Sequence, residues 1–301
     1  MIFDGIYGHN EVKKRLSDAA QSNTVSHAYI FSGKNGIGKT AVAKAFADHL
    51  TNGSEADIIY VSNEYYGVRD KASLSVEAVR AARTDVYTKP YLAEKRVFIV
   101  PNADTMTAAA QNALLKVFEE PPSFCIFILL THSENSLLPT IRSRAVTIRF
   151  SPLPDDIVAQ YLTDKYKVSD PLVIRLSGGS IANADAFYSQ ESVIDTAKEF
   201  AAIFQKIASG NETAVFEAIA YFDSEKSSYA MLLDIMEMIL EDCLLNNKHR
   251  NDIISIGRLR EGAVVEIIDN IENARRALQT NRNYNMVITE LLLGSWRILN
   301  D

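Results

Sequence analysis

Cysteine is nearly absent from this chain. Cys125 and Cys243 are the only two among 301 residues, they lie far apart, and no Cys-x-x-Cys occurs. That count excludes a disulfide framework and leaves a cysteine-based zinc site without ligands. Long apolar runs are missing too. The run "FCIFILL" around Cys125 falls far short of the roughly 20 residues that a membrane-spanning helix needs. It follows two prolines and suits a buried strand, with Cys125 as a core thiol. Basic charge is in deficit, with 31 Lys and Arg against 38 Asp and Glu. This balance argues against attraction of the whole molecule to nucleic acid, though not against a local basic patch. The opening "MIFDGIYGHNEVKKRL" has no basic stretch followed by an apolar one. No signal peptide is therefore expected, and the expected compartment is cytoplasmic, with no membrane attachment.

What is present is the composition of an ordinary globular protein, 47% hydrophobic and 23% charged. Through residue 150 strand-like and helix-like segments alternate. "HAYIFSG", "ADIIYVS", "RVFIV", "FCIFILLT" and "AVTIRF" read as five strands, separated by "TAVAKAFADHL", "VEAVRAARTDVYT" and "TAAAQNALLKVFEE" as helices. Apolar strands alternating with helices imply an α/β fold with a parallel sheet covered on both faces. At "SPLPDD", residues 151–156, the pattern changes. Two prolines followed by acids mark a boundary, and no strand is expected beyond it. Short helices are expected in "DIVAQYLTDKY", "PLVIRLSGG" and "IANADAFYS". Longer amphipathic ones are expected in "ETAVFEAIAYF", "SYAMLLDIMEMILEDCLLNN", "GAVVEIIDNIENARRALQT" and "YNMVITELLLGSWRILND".

The most specific signal is "GKNGIGKT", which is Gly33, Lys34, Asn35, Gly36, Ile37, Gly38, Lys39 and Thr40. It fits G-x-x-x-x-G-K-[ST] between a strand and a helix, the pattern of a phosphate-binding loop. Glycines let backbone N–H groups turn towards phosphate oxygens, and the following helix adds its positive end. Lys39 would reach the β and γ phosphates of ATP or ADP, and the Thr40 hydroxyl would ligate Mg²⁺. Hydrolases with such a loop carry acids after the third strand. Here Pro101 and Asn102 stand there. Neither bears the charge to hold a cation or the basicity to activate water. Asp104 follows two positions on, where it is expected to cap the next helix. His9 and His27 are expected near the same pocket, as packing or backbone contacts.

"RVFIVPNADTMTAAAQNALLKVFEEPP" and "LLPTIRSRA" resemble a bacterial clamp-loader subunit of the AAA+ family. "SHAYIFSGKNGIGKT" and "NRNYNMVITELLL" resemble the delta-prime branch of the DNA polymerase III clamp loader. The resemblance runs from about Tyr7 to the end. It implies a nucleotide-binding AAA+ domain over 1–150, a helical lid over 151–208 and a helical collar over 209–301 that joins subunits into a ring. It implies gamma/tau and delta subunits as partners in a hetero-pentamer, which acts on the sliding clamp and primer-template DNA within the polymerase holoenzyme. It places Tyr7 and Gly8 at the adenine pocket and Thr131 where a polar residue senses the γ-phosphate, although a strand-end hydroxyl also suits a local hydrogen bond. Arg144, in "RSRA", matches the arginine that reaches a neighbouring subunit's ATP site. The plainer role for Arg144 is to cap helix carbonyls or pair with a surface acid. Ala182 stands where hydrolysing members carry a lid arginine. The zinc module of many delta-prime relatives is missing from "DHLTNGSEADIIYV", so no zinc is expected.

Together these features predict a ring subunit with no ATPase activity of its own that lends Arg144 to a neighbour. The alternatives are a gamma/tau-like motor ATPase and an AAA+ remodelling ATPase outside replication. Both require turnover by the isolated chain.

Overall fold

The computed structural model describes residues 2–22, 24–68, 73–189, 191–244, 259–279 and 282–300. The ends of three expected helices, at 245–247, at Thr280 and at Asp301, lie outside them, as does the Cys243 side chain. The chain forms two compact units. One comprises Met1–Lys165 with Gly178–Ala182, the other Tyr166–Ser177 with Asn183–Asp301.

The first unit contains α1 (Asn10–Gln21), β1 (Ala28–Ser32), α2 (Lys39–Leu50), β2 (Ile58–Tyr60), α3 (Val76–Asp85), β3 (Arg96–Val100), α4 (Ala108–Glu119), β4 (Cys125–Thr131), α5 (Pro139–Arg142), β5 (Val146–Arg149) and nearly all of α6 (Asp155–Tyr166). The five strands form one sheet in the order β2-β3-β4-β1-β5, and every pairing is parallel. Both faces are apolar, as a sheet with covered faces requires. Ile30, Phe98 and Phe127 pack against α3 and α4. Phe31, Ile99 and Ile128 pack with Leu16 of α1 and with Val42 and Phe46 of α2 on the other face. Cys125 is a buried free thiol, and burial raises its pKa to about 12. The expected α/β fold with a parallel sheet is therefore present. Its strand ends converge at β1, β4 and β3, the edge where such sheets bind ligands.

One buried acid outside that edge organises a surface loop. Asp57 is fully buried in the 3-10 turn before β2. Its carboxylate accepts the N–H groups of Tyr91, Leu92 and Ala93 at 2.6, 3.0 and 3.0 Å and the Ser54 hydroxyl at 2.8 Å. Burial alone would raise its pKa. The four donors outweigh burial and hold it at about 2. The loop they pin displays Tyr91 and Leu92, which are 68% and 84% exposed.

The second unit is helical, with α7 (Pro171–Leu176), α8 (Ile181–Ser189) from Asn183 onward, α9 (Glu191–Ala208), α10 (Thr213–Ser224), α11 (Tyr229–Leu244), α12 (Glu261–Gln279) and α13 (Tyr284–Asn300). The sequence pattern assigned no helix to 191–208, yet α9 is 18 residues long and supplies Phe200, Phe204 and Ile207 to the unit's core. Spacings of three and four between these residues are a helical stripe. Phe200 meets Phe222 of α10 edge-on at 5.1 Å. Arg275 of α12 reaches Asp234 and Glu237 of α11 at 2.6 and 2.7 Å. Among the described residues, no helix is long and apolar enough to cross a membrane.

Candidate functional site: the phosphate loop and its surroundings

The loop leaves β1 at the carboxyl edge of the sheet and enters α2 at Lys39. Its start is tied to β4, because Gly33 donates its N–H to the Thr131 carbonyl at 3.1 Å. The Lys39 side chain is 7% exposed, and its ammonium donates to the carbonyls of Gly33 and Lys34 at 2.5 and 2.7 Å. Burial lowers its pKa, and the Asp104 carboxylate offsets part of that cost. Thr40 is exposed at the start of α2. The first-turn N–H groups of α2 are free to meet an anion.

Gly36 marks a contact that the sequence did not reveal. Its φ is +74°, and a Cβ built there would sit 2.2 Å from Ser180 Oγ and 2.9 Å from Ala182 Cβ. The Ala182 N–H donates to the Gly36 carbonyl at 3.2 Å. The segment 178–182 thus lies directly on the loop, and it places a methyl group there with no charge. Gly36→Ala combines a left-handed backbone, which disfavours a side chain by about 1–2 kcal/mol, with this collision. We expect a loss of about 2 kcal/mol, or roughly 4–8 °C in melting temperature for a chain of this size. A melt unchanged within a degree would contradict the contact.

The segment before α1 reaches the loop from another side. His9 donates from Nε2 to the Ile37 carbonyl at 2.6 Å, and its ring meets Phe150 edge-on at 4.9 Å. Burial lowers its pKa, which favours the neutral ring that this contact uses. Gly8 has φ +62°, and a Cβ there would lie 2.3 Å from Leu153. Tyr7 donates its hydroxyl to Asp164 at 2.9 Å and packs edge-on to Tyr161 at 5.3 Å. His27, by contrast, precedes β1 at the opposite edge of the sheet, beside Phe118. It is not at the pocket, because a strand of five residues separates it from the loop.

Pro101 and Asn102 follow β3 directly. Asn102 is exposed with φ 52°, and its carbonyl accepts both the N–H and the hydroxyl of Thr105. It serves as a turn residue. Asp104 does not cap α4 as expected. Thr107 does, accepting the Ala110 N–H. Asp104 instead lies 3.3 Å from His132 Nδ1 through Oδ2, while its Oδ1 is buried with no hydrogen-bond partner among the described residues. Thr131 is buried, and its hydroxyl donates to the Ser133 carbonyl at 2.9 Å and meets Ser136 Oγ at 3.0 Å. The donors fit a magnesium-bound nucleotide, which takes one or two carboxylates plus phosphate oxygens rather than a protein cage. Lys39, Thr40 and the open oxygen of Asp104 are the groups concerned. Among the described residues no cluster of three His, Cys, Asp or Glu side chains is placed to hold a metal by itself.

Arg144 is just past α5. Its guanidinium donates to the Thr140 carbonyl at 3.1 Å, to Ser143 Oγ at 3.4 Å and to Glu119 at 3.1 Å. Both plainer contacts expected of this residue are thus present, a helix-end carbonyl and an acid. The side chain remains 37% exposed.

The sheet order and the phosphate loop define a P-loop domain of the AAA+ type. A solved gamma-subunit-related protein from Thermotoga maritima shares that fold, with a TM-score of 0.50 and 16% identity over 94% of this chain and 99% of its own. Residues 8–58 and 49–154 match the family model described as DNA polymerase III, delta subunit. The gamma/tau subunit of DNA polymerase III from Mycobacterium bovis is 35% identical over 59% of this chain and 35% of its own length. The tau subunit from Bacillus subtilis is 31% identical over 60% and 34%. A replication factor C small subunit from Methanococcus maripaludis is 25% identical over 89% and 81%. The chain spans about a third of the length of the gamma/tau relatives it matches. Residues 8–154 belong to the DNA polymerase III clamp-loader subunit family.

Proposed function

We propose that the chain is a delta-prime-like stator of the DNA polymerase III clamp loader. In this role it sits with gamma/tau and delta subunits in a cytoplasmic hetero-pentameric ring that loads the sliding clamp onto primer-template DNA. The observation that carries the proposal is the end of β3, where Pro101 and an exposed turn residue, Asn102, replace the acids that a hydrolase needs. Nucleotide binding is retained. The loop from Gly33 to Thr40 with the α2 N-terminus would hold the phosphates, Lys39 would balance their charge, Thr40 would ligate the magnesium ion, and Tyr7 and Gly8 would border the adenine side. Bound magnesium would neutralise the β and γ oxygens. Thr131, whose hydroxyl bonds Ser133 and Ser136 in the free chain, would meet the γ-phosphate. The catalytic contribution leaves the chain: Arg144 turns from Glu119 to the ATP of a neighbouring subunit.

A motor role like that of gamma/tau is the second reading, favoured by the names of the relatives and by the charge of Asp104 near Lys39. ATP turnover by the full chain alone separates the two. The stator gives none above a Lys39→Ala control. Turnover that Lys39→Ala abolishes would establish a motor.

A further inference from the structure

Two groups at the edge of the sheet, Asp104 and His132, have no role in the stator scheme, and the phosphate-binding Lys39 belongs to the same edge. Asp104 lies in the turn after β3, and His132 directly follows β4. Lys39 opens α2 and feels the field of Asp104. The sequence places an acid where a helix cap is expected, but Thr107 takes the cap and frees Asp104 for another task. One of its oxygens is engaged by His132 at 3.3 Å. The other is buried with no hydrogen-bond partner among the described residues. A buried carboxylate oxygen without a partner costs about 1–3 kcal/mol or more, so the open oxygen of Asp104, on a side chain that is 22% exposed, calls for a ligand. Magnesium suits that oxygen, because it keeps several of its waters and binds through one or two carboxylates plus phosphates.

We propose that Asp104, oriented by His132, is the acid of this phosphate loop and holds the hydrated divalent cation of a bound nucleoside di- or triphosphate in place of residues 101 and 102. The inference rests on the nucleotide binding proposed above. It also explains binding without turnover. Asp104 alone supplies one carboxylate, which the cation occupies, and no second acid remains to orient an attacking water.

The test is the affinity of the full chain for a fluorescent ADP, measured with Mg²⁺ and with EDTA. Wild type tightens about tenfold on adding Mg²⁺, a gain of about 1.4 kcal/mol. Asp104→Asn, nearly isosteric, loses that tightening and keeps the affinity seen in EDTA. A second measurement needs no variant: with ADP, Mn²⁺ broadens the ring resonances of His132. No ADP binding by wild type in either buffer overturns the nucleotide-binding role and this inference with it. Wild-type binding that tightens equally in Asp104→Asn, or His132 resonances untouched by Mn²⁺ in the ADP complex, overturns the inference alone.

Discussion

Arg144→Ala is expected to lower ATP hydrolysis at the neighbouring site by about 10³-fold or more in the reconstituted loader, the scale on which arginine fingers act. That loss corresponds to roughly 4 kcal/mol at 1.36 kcal/mol per decade. In the isolated chain Arg144 is engaged by Glu119 and by the Thr140 carbonyl. Those contacts do not compete with the proposed role. The ion pair joins side chains that are 37% and 52% exposed, and pairs of that kind are worth about 1 kcal/mol or less. Releasing the guanidinium therefore costs a small part of what it returns on a phosphoryl group. Arg144→Lys restores little, since an ammonium lacks the planar fork that meets two phosphate oxygens. Glu119→Ala leaves turnover within a few-fold of wild type. The readout is single-turnover hydrolysis by assembled loaders of matched subunit content. Equal rates for wild type and Arg144→Ala would reduce the residue to a helix-end contact.

Asp57→Ala is expected to give the largest loss of stability, about 3 kcal/mol. It removes a charged acceptor from three backbone N–H groups at Tyr91, Leu92 and Ala93, and hydrogen bonds to charged groups are worth roughly 1.5–3 kcal/mol. The melting temperature should fall by roughly 6–12 °C. The effect also has a pH signature. The folded pKa is about 2, below the ordinary aspartate value of 3.8. The unfolded chain therefore binds the proton first as pH falls. The stabilisation is complete above about pH 5 and is lost as pH drops towards 2. Paired melts of wild type and variant between pH 7 and pH 3.5 should show the gap narrowing only at the acid end. A gap that stays constant would mean that Asp57 acts through shape and not through charge.

These effects show where sequence patterns inform and where they stop. The strands were legible because buried parallel strands are short apolar runs, and "RVFIV" became β3 without a change of boundary. The phosphate loop was legible because its chemistry fixes residue types at fixed spacing. The missing acids at Pro101 and Asn102 could be read for the same reason. Periodicity also lay open in α9, through Phe200, Phe204 and Ile207, and Gly210, with φ +89°, marks its end. Other features depended on distance along the chain. Asp104 looked like a helix cap because helix starts favour acids, and only the packed strand ends showed His132 beside it and Thr107 capping instead. Asp57 stood near the start of the expected strand "ADIIYVS", yet its backbone donors lie 34 to 36 residues away. Ser180 and Ala182 reach Gly36 across more than 140 positions. The sequence by itself determined the sheet, the loop and the loss of the acids, all set by neighbours along the chain. Tertiary structure decided which carboxylate faces which donor, because a buried charge takes its partners from whatever packing brings within 3 Å.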